Sequence, residues 1–370
     1  MKILVTGGAG FIGSKFLESI DCSTNDVCVV DCFNPQVHIN GVDFYQQKYP
    51  NIRFVNADIK DLEKYSQFLE DCECLIHLAA ETGTAQSMYE ISSYVSSNIY
   101  GLAIILDFFA NNENRCERII LASSRSVYGE GRYLCKNHGK VFPFSRSRKN
   151  LDESDFQMHC PVCNQPVEIQ PTDELSNISC FSIYAHTKYS QEELVRLYCV
   201  SHNLSYVILR LQNVYGEGQS LNNPYTGILS IFCNRIRQGL HLDIYEDGLM
   251  VRDFVHVDDV VNSLILGLNA PTGRYNVGSG EPSTIVAVTS MLVEKFAENI
   301  TINKTGSYRT GDIKGCYADL SLANEQLGYY PMVNLNQGLD RLIRWVQTQP
   351  IFEDGLEKAE VELKTRGLMS

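Results

Sequence analysis

The sequence has no excess of basic charge: 31 Lys and Arg stand against 44 Asp and Glu, a formal net charge of −13 over 370 residues. Spread without long like-charge blocks, this balance argues against a nucleic-acid partner, which needs a basic face. No basic lead and cleavage site accompany the first apolar segment, so a signal peptide is not expected, and no apolar run reads as long enough to span a bilayer. The expectation is a cytoplasmic protein with no membrane partner. Nor is there the even, compact cysteine set of a disulfide framework. The 13 cysteines are an odd number in a long chain and read mostly as reduced core thiols.

What is present begins at once. Ile3, Leu4 and Val5 read as a buried strand that breaks into Thr6-Gly7-Gly8-Ala9-Gly10-Phe11-Ile12-Gly13, a tight turn opening a helix. At Gly7, Gly10 and Gly13 side chains would block a diphosphate from the backbone N–H groups and from the positive helix end. A second strand, Val27 to Val30, ends in Asp31, whose carboxylate suits the hydroxyls of an adenosine ribose and repels a 2′-phosphate. NAD is therefore expected over NADP. The Gly-x-x-Gly-x-x-Gly spacing is similar to the fingerprint of the short-chain dehydrogenase/reductase superfamily, a resemblance that demands a Tyr-x-x-x-Lys downstream.

Strand and helix signals alternate through the first half, which argues an α/β fold with a doubly wound parallel sheet. A third strand, Ile52 to Val55, runs into Asp58 and Ile59. A fourth, from Cys74, ends in Leu78, Ala79 and Ala80, small enough for the nicotinamide side of a dinucleotide to lie close. His77 within it reads as structural. A helix over about Ser87 to Asn111 carries Asn98, and Asn34 follows the second strand; both join the expected cofactor-binding set with Phe11 and Ile12. A fifth strand, Arg118 to Ala122, ends in Ser123-Ser124-Arg125-Ser126, at the end of a sheet where such folds bind ligands. Tyr184-Ala185-His186-Thr187-Lys188 then supplies the demanded motif, with Tyr184 and Lys188 on one helix face. Lys188 and a cationic nicotinamide would favour the Tyr184 phenolate, making it a base beside Ser124.

These motifs resemble the NAD-dependent nucleotide-sugar epimerase/dehydratase family, extended short-chain dehydrogenases with a Rossmann-like sheet and a smaller α/β substrate lobe; the likeness runs to about Trp345. It implies a nucleotide-binding unit over residues 1–215, to which elements near 250–278 return, a mainly substrate-binding lobe over 216–350 and a tail over 351–370. It also implies tightly bound NAD, a homodimer, and a nucleotide-diphosphate sugar held by Ser124, Arg125, Ser126, Asn213, Asn223, Tyr245, Arg252, Arg309 and Asp312. Ser-Arg-Ser-Val-Tyr-Gly-Glu-Gly and Asn222-Asn223-Pro224-Tyr225-Thr226-Gly227 look like the branch that contains dTDP-L-rhamnose 4-epimerases, with UDP-glucose 4-epimerases close to it.

One segment departs from the family. An insert over 130–172 contains Cys135-x-x-His138 and Cys160-Pro161-Val162-Cys163, two pairs at knuckle spacing that fit a closed Cys3His zinc site. Arg146, Arg148 and Lys149 between them read as a solvated face.

Three reactions share this machinery: 4-epimerisation, 4,6-dehydration and 4-keto-sugar reduction. Family dehydratases carry Asp-Glu after the strand-end hydroxyl, where this chain has Arg125 and Ser126, and a guanidinium serves as neither acid nor base. Reduction would draw on NADPH, which Asp31 disfavours. Epimerisation through a transient 4-keto sugar is the expectation, possible substrates being dTDP-L-rhamnose and dTDP-6-deoxy-L-talose. An NAD-sensing scaffold is the non-enzymatic alternative, and it would not need the Ser, Tyr and Lys set.

Overall fold

The computed structural model describes residues 1–35, 37–38, 40–225 and 227–370; Thr226 of the branch-like motif lies outside them. Seven parallel strands form the main sheet: β1 (Lys2–Thr6), β2 (Asp26–Asp31), β3 (Arg53–Asn56), β4 (Cys74–His77), β5 (Arg118–Ser124), β6 (Ser205–Leu211) and β7 (Gly273–Val277). Their order is β7-β6-β5-β4-β1-β2-β3. The chain starts in the middle, winds outward to β3, and returns past β1 to build the other half. Such a reversal leaves a crevice at the carboxyl ends of the central strands.

Successive side chains point to opposite faces of a strand, and both faces here are covered. Ile3 and Val5 enter one core with Val29, Ile76, Ile120, Val207 and Leu209, against the Phe11–Ser19 and Val257–Gly267 helices. Leu4, Val30, Leu75, Ile119, Leu121 and Ile208 enter the other. That second core is closed by the Gly101–Asn111 and Ile183–Ser201 helices. The continuous apolar runs read as strands are thus strands with no wet face.

The helical stretch Ile91–Asn111 corrects the reading that no apolar run could cross a bilayer: its 21 residues pass by length and composition, with a mean hydropathy of 1.2. Leu102, Ile105, Leu106 and Phe109 are buried against the sheet, so the apolar side of its second half is occupied as in a core helix. The helix expected from Ser87 is broken, with a separate turn at Thr84–Ser87 and a π-turn at Val95–Tyr100 that carries Asn98.

A second sheet joins Asn213–Tyr215, Val251–His256 and Pro282–Thr284, with Gly315–Cys316 beside Val251–His256. The Ile228–Arg237, Ile285–Phe296 and Leu335–Thr348 helices enclose a third core around Phe232, Leu292 and Leu342. The first of these starts only after the Asn222–Gly227 motif. Gly227 turns into it at φ +80°, and the Asn223 side chain accepts the Tyr225 N–H at 3.0 Å, holding the preceding residues as a loop. The tail forms a helix, Leu356–Thr365, with Ala359 and Leu363 buried.

The insert is its own small antiparallel sheet, in which Tyr133–Cys135 lies between Gly139–Val141 and Glu168–Ile169. The expected solvated basic face is corrected at one position. Arg148 and Lys149 are exposed, but the Arg146 side chain is only 3% exposed and donates to Glu246 Oε2 at 2.6 Å and to the Asp312 carbonyl at 3.1 Å. Three residues of spacing gave no sign of a carboxylate a hundred residues away.

Candidate active site

A cavity of about 620 Å³ lies in the crevice between the two sheets. Gly7, Gly10, Phe11, Ile12, Gly13, Asp31, Asn34, Asp58, Ile59, Leu78, Ala79 and Ala80 line it on one side. Ser124, Arg125, Ser126, Tyr184, Asn213, Asn223, Tyr245, Arg252, Arg309 and Asp312 line it on the other. Two of the expected site residues, Asn98 and Lys188, are buried behind the wall instead.

The three glycines divide their work differently from the sequence reading. A Cβ on Gly7, at φ +70°, would lie 2.6 Å from Ala79 N, and one on Gly13 would lie 2.5 Å from Gly8 Cα. These two are required by the protein's own close packing. A Cβ on Gly10 would meet only the Gly7 carbonyl at 3.3 Å, so Gly10 is the one that keeps the helix start open to a ligand. The Phe11–Ser19 helix has no side-chain cap, which leaves its first amides for an anion. Asp31 is fixed by the Ala9 and Phe33 amides, each at 3.0 Å, with His38 Nε2 at 3.3 Å. An uncapped helix start, an open Gly10 and an oriented carboxylate at the end of β2 fit the diphosphate and ribose of NAD.

Ser124 ends β5 and caps the following turn by accepting the Ser126 N–H at 3.2 Å. Ser182 caps the Ile183–Ser201 helix through the Ala185 N–H at 3.1 Å, which puts Tyr184 in its first turn. The Tyr94 ring stands edge-on to Tyr184 at 6.4 Å. Burial pushes the Tyr184 phenol up, and the neighbouring Ser124 hydroxyl and Arg125 guanidinium pull it back. Arg125 is thus a cation near the phenol that the sequence reading, which gave this role to Lys188 with the nicotinamide, did not include. Lys188 Nζ donates to Gln191 Oε1 at 2.7 Å, and burial pulls its ammonium down to about 7 against the opposing field of Glu192.

Gln191 joins Lys188 to a buried network. Its amide donates to the Asn98 carbonyl at 2.8 Å and to His77 Nε2 at 3.2 Å. With Nε2 accepting, His77 carries its proton on Nδ1 and donates to Thr6 Oγ1 at 2.8 Å. The Asn98 side chain bonds Thr187 Oγ1 at 2.9 Å and both backbone groups of Glu81, which joins β4, the π-turn and the helix carrying Tyr184. Burial, then Lys188, lowers His77 to about 3 from its ordinary 6.5. Above pH 6.5 the ring is neutral in both folded and unfolded chains; below it only the unfolded chain takes up the proton. Stability then falls by up to about 1.4 kcal/mol per pH unit as pH drops toward 3. Thermal midpoints between pH 6.5 and 5 should decline more steeply for the wild type than for His77→Asn; equal slopes would acquit the ring.

On the other side, cations outnumber their partners. Arg252 donates to the Val251 and Ile313 carbonyls at 2.8 and 3.1 Å, and burial, then Arg125, lowers it to about 10. Arg309 lies 4.6 Å over the Tyr245 ring and bonds Asp312 at 3.1 Å. Burial alone would raise the Asp312 carboxyl, but Arg309 and then Arg252 hold it low. Ser126 Oγ, Asn213 Oδ1 and both side-chain polar atoms of Gln212 are buried beside this cluster without a protein partner among the described residues. Unpaired polar atoms and three guanidiniums make a place for an anionic, hydroxyl-rich ligand.

Sequence reasoning missed Gln212, although it stands next to the expected Asn213. It also missed the tail's part in the site, where Leu356 lines the cavity and Glu360 accepts the Tyr245 hydroxyl at 2.6 Å. Leu356, Ala359 and Leu363 sit at helical spacing, and that pattern was the available signal.

With this geometry in view, the comparisons with known proteins converge. Residues 3–149 and 160–278 match the NAD dependent epimerase/dehydratase family. The dTDP-L-rhamnose 4-epimerase of Burkholderia thailandensis is 34% identical over 93% of this chain and 94% of its own. A dTDP-glucose 4,6-dehydratase of an Actinoplanes species is 28% identical over 93% and 97%. Among solved structures, the UDP-glucuronic acid 4-epimerase of Bacillus cereus, in complex with UDP-glucuronic acid and NAD, superposes with a TM-score of 0.75 at 26% identity, covering 94% of this chain and 99% of that one. The gap in the family match, residues 150–159, falls inside the insert, and everything that builds the cavity lies within or beyond the matched parts. By sequence and by fold, the chain is an enzyme of the NAD dependent epimerase/dehydratase family.

Proposed function

We propose that the chain is a 4-epimerase of nucleotide-diphosphate sugars, interconverting dTDP-L-rhamnose and dTDP-6-deoxy-L-talose. The observation that carries this is one cavity on which Ser124, Tyr184, the open Gly10 turn and the Arg252–Arg309 pair all face, with Arg125 and Ser126 after the catalytic serine. Dehydration across C5 and C6 needs an acid and a base there, and neither residue serves. The 34% identical relative supports the choice of sugar.

NAD, when bound, supplies hydride acceptance and return at sugar C4. Tyr184 takes the proton of the C4 hydroxyl and later gives it back, while Ser124 holds the same oxygen by hydrogen bond. Arg125 favours the phenolate form. Arg252, Arg309 and Asn213 grip the diphosphate, so the 4-keto sugar can turn its other face without leaving. The metal that the four insert ligands would hold takes no part in this chemistry. Two copies would pair across the neighbouring helices that expose Ile91, Val95, Tyr100, Leu197 and Val200.

Incubating the purified protein with dTDP-L-rhamnose should give the C4 epimer by NMR, with no added reductant and no net change in reduced nicotinamide. Light scattering on the same sample should give twice the chain mass of 41.7 kDa. Accumulation of a keto-deoxy product, a requirement for stoichiometric reductant, or no turnover of any dTDP- or UDP-sugar would each overturn the reading.

A further inference from the structure

Cys135, His138, Cys160 and Cys163 come from two turns 22 residues apart in the chain, and their ligand atoms all lie within 4.8 Å of one another. Cys135 Sγ is 3.7 Å from Cys163 Sγ, and His138 Nδ1 is 3.6 Å from both Cys135 Sγ and Cys160 Sγ. A tetrahedral zinc ion with Zn–S of about 2.3 Å and Zn–N of about 2.05 Å requires about 3.75 Å between sulfurs and about 3.55 Å from sulfur to nitrogen. A disulfide would need sulfurs about 2.05 Å apart. The backbone is shaped to the same end: Asn164 N–H returns to the Cys160 carbonyl at 2.9 Å and Cys160 N–H reaches Gln165 O at 2.8 Å, a tight turn that aims both sulfurs inward. Cys135 and Cys160 are buried in the insert's own small core with Tyr133, Val141 and Met158.

That core is wedged against the strand and turn that carry the anion-binding residues. Glu130, fully buried, accepts the Lys314 and Gly315 amides at 2.8 and 3.3 Å and the Tyr133 hydroxyl at 3.2 Å. A Cβ on Gly315 would lie 2.5 Å from Ile169 Cδ1. Arg146 holds the Asp312 carbonyl, and the Ile313 carbonyl holds Arg252. We infer that the four side chains bind one structural zinc ion, and that this ion braces the insert so that Glu130 and Arg146 fix the 309–315 segment, and through it Arg252 and Arg309, for the substrate's diphosphate. Arg146 is a positioning residue: it touches the segment, not the ligand. The effect on substrate rests on the nucleotide-sugar reading; the metal and the bracing do not.

Elemental analysis of fresh wild-type protein should give about one zinc per chain, and X-ray absorption should show three sulfurs near 2.3 Å. Amide hydrogen exchange after chelation, and in Cys160→Ser, should quicken in the insert and at 309–315, with the Gly7–Gly13 turn unchanged. Arg146→Met should keep its zinc, quicken exchange at 309–315, and raise KM for the nucleotide sugar about tenfold with kcat within about threefold. Wild-type protein without zinc overturns the site whether or not Cys160→Ser folds. Zinc present but 309–315 unmoved by its removal overturns the bracing. Both readouts stand even where no substrate turns over, so failure of the functional reading is told apart from failure of this one.

Discussion

Tyr184→Phe lowers kcat by about 10²–10⁴-fold, the range expected for loss of a general acid–base, while the protein keeps its fold and its NAD. The phenol faces the cavity beside Ser124 and Arg125, so among the described residues no buried partner outside the site is stranded. The ring and its edge-on packing with Tyr94 survive in Phe. KM should move little, since the diphosphate is held elsewhere. Steady-state rates with dTDP-L-rhamnose, beside the nicotinamide content of denatured enzyme, decide the matter. Activity within about threefold of wild type would pass the proton to another group, with Ser124 the first to test.

The second large effect is on stability. Glu192 and Arg210 are 0% and 2% exposed, paired at 2.7 Å, with Ser123 donating to the same carboxylate at 2.5 Å. Arg210 also donates to the Tyr128 hydroxyl at 2.9 Å, which in turn donates to Asn276 at 2.8 Å. Arg210→Met leaves a buried carboxylate without its main cation, a class of change that costs about 3–5 kcal/mol. Arg274, 3.4 Å from Glu192 and 27% exposed, offsets part of it, so the lower end of that range is expected. Denaturant midpoints measure the loss, and Glu192→Met added to Arg210→Met should recover some of it. A single-variant loss below about 1 kcal/mol would mean the pair is not what holds these elements. The pair ties the helix carrying Tyr184 to β6, next to the strand carrying Ser124, so the variant that does fold should also turn over slowly.

The strands and the glycine turn were legible because their signals are local: apolar runs, special backbone at Gly7, a carboxylate at a strand end. Tyr184 and Lys188 were legible through spacing on a helix. Their electrostatic partners were not, because Arg125 and Gln191 are set by rotamer and by which face of the cavity each side chain reaches. Arg146 was misread for a related reason: a basic residue in a polar loop has no sequence mark of the distant Glu246 that makes burial tolerable. The tail was legible only as a stretch beyond the substrate lobe, because its apolar positions are few and its partners, Tyr245 and Tyr225, lie in another part of the chain.

The chain that carries the insert departs after Val127, in the turn beyond β5, and comes back at Ser179, whose amide bonds the Val127 carbonyl at 2.9 Å. Departure and return share one doorway, and a Cβ on Gly129 would lie 2.4 Å from the Ser179 carbonyl, so the doorway is tight. The separation of Ser124 from Tyr184 is therefore set at the doorway and not by the length of chain beyond it. The entropy of closing such a loop grows only logarithmically with its length. An ancestor could lengthen, shorten or replace this segment without disturbing the spacing of Ser124 and Tyr184, while altering what the 309–315 segment leans on. The spacing of that pair and the support of the facing wall are, in this architecture, separately heritable.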